Sequence, residues 1–295
     1  MRGLIRSSLR LVPEMLDRAG RQRRHHREVK LFLETPARQA FGRRAFEGAE
    51  ARLSVFTVVF NVPSLVSLQI EAMGRFASGA LELTVIDNSS IESAARDIEG
   101  IAMASGTSYV RLPPNPAEHL SESHGLALDW SYRHLVLPNR VRRMLLLDHD
   151  LFPVAPFDAD AVGHGCAAYG HRQTRGSRVY LWPGFSYFDL RMLGSTSLSF
   201  RPSRGFDTGG RIASLLAGRA DVGFATQAKL VLGQPGADQV AAVEVFDGTW
   251  LHLLNGSGWY GGTPKLDLLG AGYEPRSVEY WVRRLPHLQP RAGGD

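Results

Sequence analysis

The sequence predicts an α/β protein with a mostly parallel central sheet, helices on both faces of that sheet and an N-terminal helical extension. Short runs of apolar and β-branched residues alternate with helix-like stretches over residues 54–147, which favours a parallel sheet. Three of the predicted strands end in polar clusters. The chain is 44% hydrophobic and 21% charged over 295 residues, values that exclude disordered, collagen-like and coiled-coil proteins.

The predicted elements alternate in chain order. Four short apolar runs predict buried strands, at residues 54–60, 81–86, 108–112 and 144–147. Helices fill the intervals, the first beginning at Pro63 and the last extending from His124 to Val136. Because the carboxyl ends of parallel strands meet at one edge of a sheet, the polar residues that follow the strands should lie close together there. These residues are Asn61, Asp87 and Asp148.

The positive charge is concentrated in the first 50 residues. They hold twelve Lys and Arg against six Asp and Glu, whereas the other 245 residues hold 22 basic and 23 acidic residues. We therefore predict a basic helical arm over residues 1–50, a main domain over residues 51–288 and a flexible tail over residues 289–295.

Two roles are open for the arm. In the first, the arm is a solvated helix that packs on the body or on a neighbouring molecule. In the second, residues 1–30 contact anionic lipid at a membrane surface. Nucleic acid is not expected as a partner, because no aromatic residues interleave with the arginines. With no long apolar segment, no signal-type cleavage site and a single cysteine, we expect a cytoplasmic protein, peripheral membrane contact being the alternative.

The segment Asp148-His149-Asp150 directly follows the fourth predicted strand. Two carboxylates at this spacing can both reach one divalent cation, and hard oxygen ligands beside a diphosphate suit Mg²⁺ or Mn²⁺. The alternative is structural, with the two aspartates capping the next turn and balancing Arg142 and Arg143.

These segments resemble glycosyltransferases with the GT-A fold. Residues 145–153 (LLLDHDLFP) resemble the hydrophobic strand and Asp-x-Asp motif of that family, residues 58–63 resemble its first strand, and residues 85–90 its second. The resemblance covers residues 54–262. It implies a Rossmann-like nucleotide-binding half and makes residues 51–288 the catalytic domain.

The resemblance also implies a nucleotide-sugar donor, a UDP-sugar being favoured, and Mn²⁺ or Mg²⁺ as the cofactor. The metal would bridge the two phosphates and offset the charge on the leaving diphosphate. Its implied ligands are Asp148 and Asp150, with His252 as a third; a satisfied core histidine is the alternative for His252. Asp87 and Asn61 would hold the nucleoside. The implied donor-site residues are Asn61, Asp87, Asn88, His124 and Asp148.

The aromatic-rich segment 182–189 carries a glycine and a carboxylate. Aromatic faces stack on sugars and glycine lets the backbone approach, so Trp182 and Gly184 predict a wall of the nucleotide-sugar or acceptor site, with an ordinary core strand as the alternative. Asp189 and Asp207 are the candidate catalytic carboxylates, Asp207 as the base of an inverting reaction. Alternatively Asp207 or Thr208 is the N-cap of the helix that follows.

The sequence thus predicts a metal-dependent glycosyltransferase that moves a sugar from a nucleotide-diphosphate donor to a carbohydrate, lipid-linked or other acceptor. Two alternatives stay open. A nucleotidyltransferase would favour a Gly-rich, Lys-bearing phosphate loop after the first strand, and residues 61–64 are not such a loop. A non-catalytic binding protein acting through its basic arm would lose function with residues 1–50 and be indifferent to Asp150.

Overall fold

The computed structural model describes residues 20–42, 52–194, 197–203, 205–232, 241–253 and 277–284. Its strands are β1 (Gln39–Phe41), β2 (Leu53–Val59), β3 (Ala77–Ser78), β4 (Leu81–Asp87), β5 (Ser108–Arg111), β6 (Arg143–Asp148), β7 (Leu151–Pro153), β8 (Phe157–Asp158), β9 (Ala168–Arg175), β10 (Arg178–Asp189), β11 (Val222–Phe224), β12 (Gln227–Leu232), β13 (Ala241–Phe246) and β14 (Trp250–Leu253).

The helices alternate with these strands as predicted. They are α1 (residues 20–34), α2 (Pro63–Phe76), α3 (Glu92–Ser105), α4 (Leu120–Ser131), α5 (Leu190–Leu193), α6 (Ala213–Leu216) and α7 (Val278–Arg284). A π-helical turn, Tyr132–Val136, continues α4, and a 3₁₀ turn, Gly210–Ile212, precedes α6. Pro63 lies in the first turn of α2. Backbone N–H groups in that turn have no partner within the helix, so the N–H that proline lacks costs no hydrogen bond.

Eight strands form the central sheet in the order β1-β5-β4-β2-β6-β10-β9-β11. The four strands predicted from the sequence, β2, β4, β5 and β6, are parallel neighbours, so the predicted α/β class is confirmed. β10 runs antiparallel to β6, and β1 runs antiparallel to β5. Every residue of β2 is buried, as expected for a central strand covered on both faces.

Helices cover both faces of the sheet. On one face, apolar residues of β2, β4 and β5 pack against α2 and α3. On the other face, Phe56 and Val58 of β2 share a core with α4 and with α1. Trp130 of α4 is 1% exposed, and its indole N–H donates to the backbone oxygen of Thr35 (2.8 Å), which ties α1 to this face.

A second sheet, in the order β12-β13-β14-β7, extends beyond the carboxyl end of β6. Two residues separate β6 from β7. β7 pairs antiparallel with β14, which places His252 opposite Leu151. The backbone N–H of Leu253 donates to the backbone oxygen of Asp150 (2.9 Å). This pairing brings a residue from the end of the chain to the Asp-x-Asp segment.

The described part of the predicted arm belongs to the main body. Val29, Phe32 and Leu33, at helical spacing, are 3%, 3% and 8% exposed and lie in the largest core cluster. Residues 39–41 form an edge strand of the central sheet, whereas the sequence predicted helix throughout residues 1–50. The domain boundary itself stays a prediction. Residues 1–19, 43–51 and the predicted tail at 289–295 lie outside the described residues.

Candidate active site

The Asp-x-Asp segment forms a tight turn between the two sheets. β6 ends at Asp148 and β7 begins at Leu151. The side-chain amide of Gln69, fully buried in α2, donates to the backbone oxygens of Asp148 (2.9 Å) and Leu151 (2.6 Å). Nδ1 of His149 lies 3.1 Å from the backbone oxygen of Val58. The turn is therefore fixed on both sides by hydrogen bonds from neighbouring elements.

The structure contradicts one part of the structural alternative for the two aspartates, the balancing of Arg142 and Arg143. Arg142 pairs with Asp189 (3.1 Å) and Arg143 with Asp160 (2.7 Å). Neither arginine is thus balanced by Asp148 or Asp150.

The two carboxylates lie in a poorly solvated site. The side chain of Asp148 is 19% exposed and that of Asp150 is 3% exposed. Burial, and then the charge of Asp150, raises the pKa of Asp148 to about 7. Two close carboxylates with little water are costly unless a cation or protons compensate them, so the site favours a bound positive charge.

His252 faces this pair from β14. Its Nε2 lies 3.6 Å from an oxygen of Asp150, and its Nδ1 lies 3.1 Å from an oxygen of Glu244. Burial lowers the pKa of His252, but the Asp150 charge and the hydrogen bond with Glu244 outweigh it, so the pKa is raised overall. A carboxylate on Nδ1 leaves Nε2 directed at Asp150, the arrangement found around metal-bound histidines.

These donors match the chemistry of a divalent cation. Two carboxylates and an imidazole suit Mn²⁺ better than Mg²⁺, because imidazole is a softer ligand than oxygen. Among the residues that the structure describes, no group of three or more His, Cys, Asp and Glu side chains is already spaced for ligation. Asp148, Asp150 and His252 are thus neighbours that would have to draw together around an ion, and their role as ligands stays a prediction.

His124 adds a neutral imidazole beside Asp148. Its Nε2 lies 3.4 Å from an oxygen of Asp148, and its side chain is 7% exposed. Burial lowers the pKa of His124 to about 4, against the opposing charges of Asp207 and Asp150. His124 is therefore uncharged at neutral pH. A narrow cleft of about 20 Å³ lies here, lined by Val58, Phe60, Asn88, Leu120, Ser123, His124, Asp148 and His149.

The three residues predicted at the nucleoside have different environments. Asn88 lies on the cleft wall, and its amide donates to the Ser123 hydroxyl (3.0 Å). The side chain of Asn61, a residue with φ of 59°, accepts hydrogen bonds from the backbone N–H groups of Ser90 and Ile91 at the start of α3. It therefore joins the ends of β2 and β4.

Asp87 is 1% exposed. One of its oxygens accepts from the backbone N–H of Ser89 (2.9 Å) and the other from the Tyr109 hydroxyl (2.7 Å), with Arg111 3.6 Å away. Burial, and then the hydrogen bond with Asp87, raises the pKa of Tyr109. The described contacts of Asp87 and Asn61 are structural, and nucleoside contact by either stays a prediction.

Trp182 packs against His252, one of the predicted metal ligands. Its ring centroid is 4.7 Å from that of His252 and 5.8 Å from that of His171. Gly184 serves this placement, since a Cβ there would lie 2.1 Å from the Trp182 ring. Glycine is therefore required at position 184 for this position of the Trp182 ring. That Trp182 and Gly184 form a wall of the nucleotide-sugar or acceptor site stays a prediction.

Asp189 lies far from the Asp-x-Asp segment. Asp189 pairs with Arg143, at the amino end of β6, about 16 Å of strand from Asp148 at roughly 3.3 Å per residue. It caps α5 by accepting from the backbone N–H groups of Arg191 and Met192. The predicted catalytic role of Asp189 is therefore wrong, because the antiparallel direction of β10 carries it to the opposite edge.

Asp207 does lie on the side of the candidate site. Its charge acts on both His124 and Asp148. Its side chain is exposed and accepts from the backbone N–H of Thr208 (2.8 Å). Gly209 precedes the 3₁₀ turn without a side-chain cap, so the N-cap alternative for Asp207 and Thr208 is wrong. A role as base stays a prediction.

Sequence reasoning missed two residues that hold the site. Gln69 is a buried polar residue on the apolar side of α2, and Glu244 is the lone charge, 6% exposed, in the apolar strand β13. A buried polar residue within an apolar run is a signal, because such a group needs a partner. The sequence does not identify the two partners. Gln69 contacts the turn after β6, far along the chain, and Glu244 contacts His252 on the neighbouring strand β14.

Comparisons with known proteins give structural neighbours only. No family model matches the chain, and neither does any curated protein. Among solved structures, the chain is similar to a mannosyltransferase from Pyrobaculum calidifontis in complex with GDP-Man and Mn²⁺, at 14% identity and a TM-score of 0.41, with 68% of this chain and 60% of that chain covered.

Two further neighbours have similar scores. Glucosyl-3-phosphoglycerate synthase from Mycobacterium tuberculosis, in complex with Mn²⁺ and UDP-glucose, gives 19% identity and a TM-score of 0.39, with 64% and 74% covered. S. aureus TarS 1–349 with UDP-GlcNAc gives 12% identity and a TM-score of 0.39, with 58% and 55% covered. The chain thus spans less than two thirds of the length of two of these three neighbours. No described helix is long and apolar enough to cross a membrane.

Proposed function

We propose that the protein is a glycosyltransferase that uses a nucleotide-diphosphate sugar and a divalent cation, Mn²⁺ in preference to Mg²⁺. The observation that carries the proposal is the meeting of Asp148 and Asp150, at the carboxyl end of β6, with His252, whose Nδ1 is held by Glu244. In α/β sheets ligands bind at this edge. Buried carboxylates there, with an oriented imidazole, suit a cation that binds a diphosphate.

The cation would be held by Asp150, Asp148 and Nε2 of His252. Bound there, it would supply Lewis-acid stabilisation of the leaving diphosphate. Glu244 keeps the imidazole in the required tautomer, and Gln69 fixes the backbone of the turn that carries both carboxylates. The ring of Trp182 covers His252 and excludes water from that side.

The nucleoside is proposed to enter between Phe60, Asn88 and Leu120. The cleft there, about 20 Å³, holds no more than one water molecule, so binding requires its walls to separate. Leu120, 39% exposed at the start of α4, is the wall residue with the most solvent contact. His124 offers an uncharged imidazole beside Asp148, which avoids adding a cation next to the metal.

Asp207 is the proposed base if transfer inverts the anomeric centre. It is solvent-exposed and lies close enough for its charge to act on His124 and Asp148. Its carboxylate is available to accept a proton from an acceptor hydroxyl that approaches from the side of β9 and β10.

A thermal-shift panel tests the proposal. UDP, GDP, CDP and dTDP are each added with and without Mn²⁺ to the wild type and to Asp150→Asn. A ligand at about 100 times its Kd stabilises by about 2.7 kcal/mol, and about 1 kcal/mol moves the Tm of a domain this size by about 2–4 °C. We expect one base to give a Mn²⁺-dependent shift that Asp150→Asn loses. No shift with any nucleotide would contradict the proposal.

A further inference from the structure

A second, larger cleft lies beside the candidate site. It has a volume of about 890 Å³, within the range of small-molecule sites. Four arginines and no Asp or Glu occur among the described residues that line it. These arginines are Arg172, Arg178, Arg211 and Arg219, and we name the space the arginine cleft.

Three of the four arginines have charge available for a ligand. Arg219 is paired with Asp221 (2.8 Å). Within the described part of the chain, Arg172, Arg178 and Arg211 form no ion pair, and all three are exposed. A cleft lined by charge of one sign concentrates counter-ions, so this arrangement favours an anionic ligand.

Aromatic rings fix two of these guanidinium groups. The Arg172 guanidinium lies 5.3 Å from the ring centroid of Phe224, and that of Arg178 lies 5.6 Å from that of Phe206. Stacking reduces the motion of a guanidinium and leaves its edge N–H groups free to donate. A planar fork of donors is suited to phosphate oxygens, which it binds in a bidentate manner.

The arginine cleft adjoins a groove lined by Asp207. A neighbouring groove, of about 660 Å³, shares Ser203 and Arg211 with it and contains Asp207. The charge of Asp207 acts on Tyr180, which lines the arginine cleft. The same charge acts on His124 and Asp148 in the candidate active site. A molecule anchored in the arginine cleft can therefore extend along the shared wall to Asp207.

We infer that the arginine cleft binds a phosphate group of the acceptor and so presents its hydroxyl at Asp207. The inference rests on the proposed function, because it assigns the acceptor of that reaction. The phosphate belongs either to a soluble phosphate ester or to a lipid headgroup. The half-apolar wall, which includes Val179, Leu216 and Phe224, is compatible with both.

Binding of inorganic phosphate to the full-length protein, without metal, is the first measurement. We expect Arg178→Gln/Arg211→Gln to weaken it at least tenfold, since each removes a charge-assisted hydrogen-bond donor. The matched control is Arg96→Gln/Arg133→Gln, two exposed arginines on α3 and the π-helical turn, which should leave phosphate binding unchanged. Equal binding by both double variants overturns the inference.

The same variants are titrated with Mn²⁺ and the nucleoside diphosphate selected in the thermal-shift panel. Unchanged nucleotide binding in Arg178→Gln/Arg211→Gln supports a separate acceptor subsite, whereas an equal loss places these arginines in the donor site and overturns the inference. If the wild type binds no nucleoside diphosphate, the proposed function fails, and the acceptor role fails with it.

Two further arms distinguish the sources of the phosphate. Glycerol 3-phosphate competing with inorganic phosphate supports a soluble ester, and flotation with phosphatidylcholine vesicles only when they contain phosphatidic acid supports a lipid headgroup. In either arm, the interaction must weaken in Arg178→Gln/Arg211→Gln. Competition or flotation that is insensitive to this variant contradicts the inference.

Discussion

Replacement of Glu244 by glutamine tests how the predicted metal ligand His252 is oriented. The Glu244 carboxylate lies 3.1 Å from Nδ1 of His252 and also accepts from Gln227 (2.7 Å), with Lys229 3.3 Å away. Burial alone raises the pKa of Glu244, but the hydrogen bond with His252 and the neighbouring lysine lower it overall. The residue is thus an anion that polarises the imidazole.

The magnitude follows from the contacts that remain. Removing the carboxylate partner of a metal-bound histidine costs about 10- to 100-fold in metal affinity. A glutamine oxygen still accepts from Nδ1, so we expect the lower end, about tenfold or about 1.4 kcal/mol. The loss should come from reduced basicity of Nε2 and not from a displaced ring.

The assay is Mn²⁺ titration in the presence of nucleoside diphosphate, with free Mn²⁺ measured by electron paramagnetic resonance. Glu279→Gln is the matched control. Among the described residues Glu279 pairs with Arg75 and Arg283 on the surface, so its replacement should leave affinity unchanged. Circular dichroism verifies that both variants fold. Wild-type Mn²⁺ affinity in folded Glu244→Gln would refute the assignment of His252 as a ligand.

Three further outcomes are expected. The pKa of Asp148 is raised to about 7, so Mn²⁺ must displace a proton below that pH. Mn²⁺ affinity should therefore be constant well above pH 7 and fall at least tenfold per pH unit below it. Calorimetry in buffers from pH 5 to 8 measures this affinity, and a flat profile would contradict the expectation. Asp189→Ala should remove the cap of α5, lowering the free energy of unfolding by about 0.5–2 kcal/mol, and should retain sugar transfer. Loss of sugar transfer in a folded variant would show that Asp189 has a catalytic role. Phe32→Ala should lower the free energy of unfolding, measured by urea denaturation, by about 3–5 kcal/mol. Leu31→Ala, at a side chain that is 67% exposed, should lower it little. Equal effects would show that α1 does not pack on the body.

The parallel half of the fold could be predicted because its signals are local. Each of the strands β2, β4, β5 and β6 is a short apolar run that ends in a polar or proline-containing segment, and the observed bounds differ from the predicted ones by a residue or so. β1 was missed because three residues, Gln39–Phe41, give no periodic pattern and pair only through contacts with β5.

The positions of Asp148 and Asp150 could be predicted because they depend on the order of residues along the chain. Both residues come directly after a strand whose direction is fixed by the parallel pattern. The sequence therefore determines at which edge of the sheet they lie. The position of Asp189 does not follow, because it depends on β10 reversing direction against β6. Glu244 meets His252 across an antiparallel strand pair, a register that depends on tertiary packing and not on local composition.

The most direct test of the central claim is anomalous diffraction from crystals grown with Mn²⁺ and the nucleoside diphosphate. The account predicts one strong manganese peak between Asp150, Asp148 and Nε2 of His252, at about 2.0–2.2 Å from its protein ligands, with the diphosphate completing the coordination. A nucleotide bound with no manganese at these residues, or manganese held elsewhere, would contradict it.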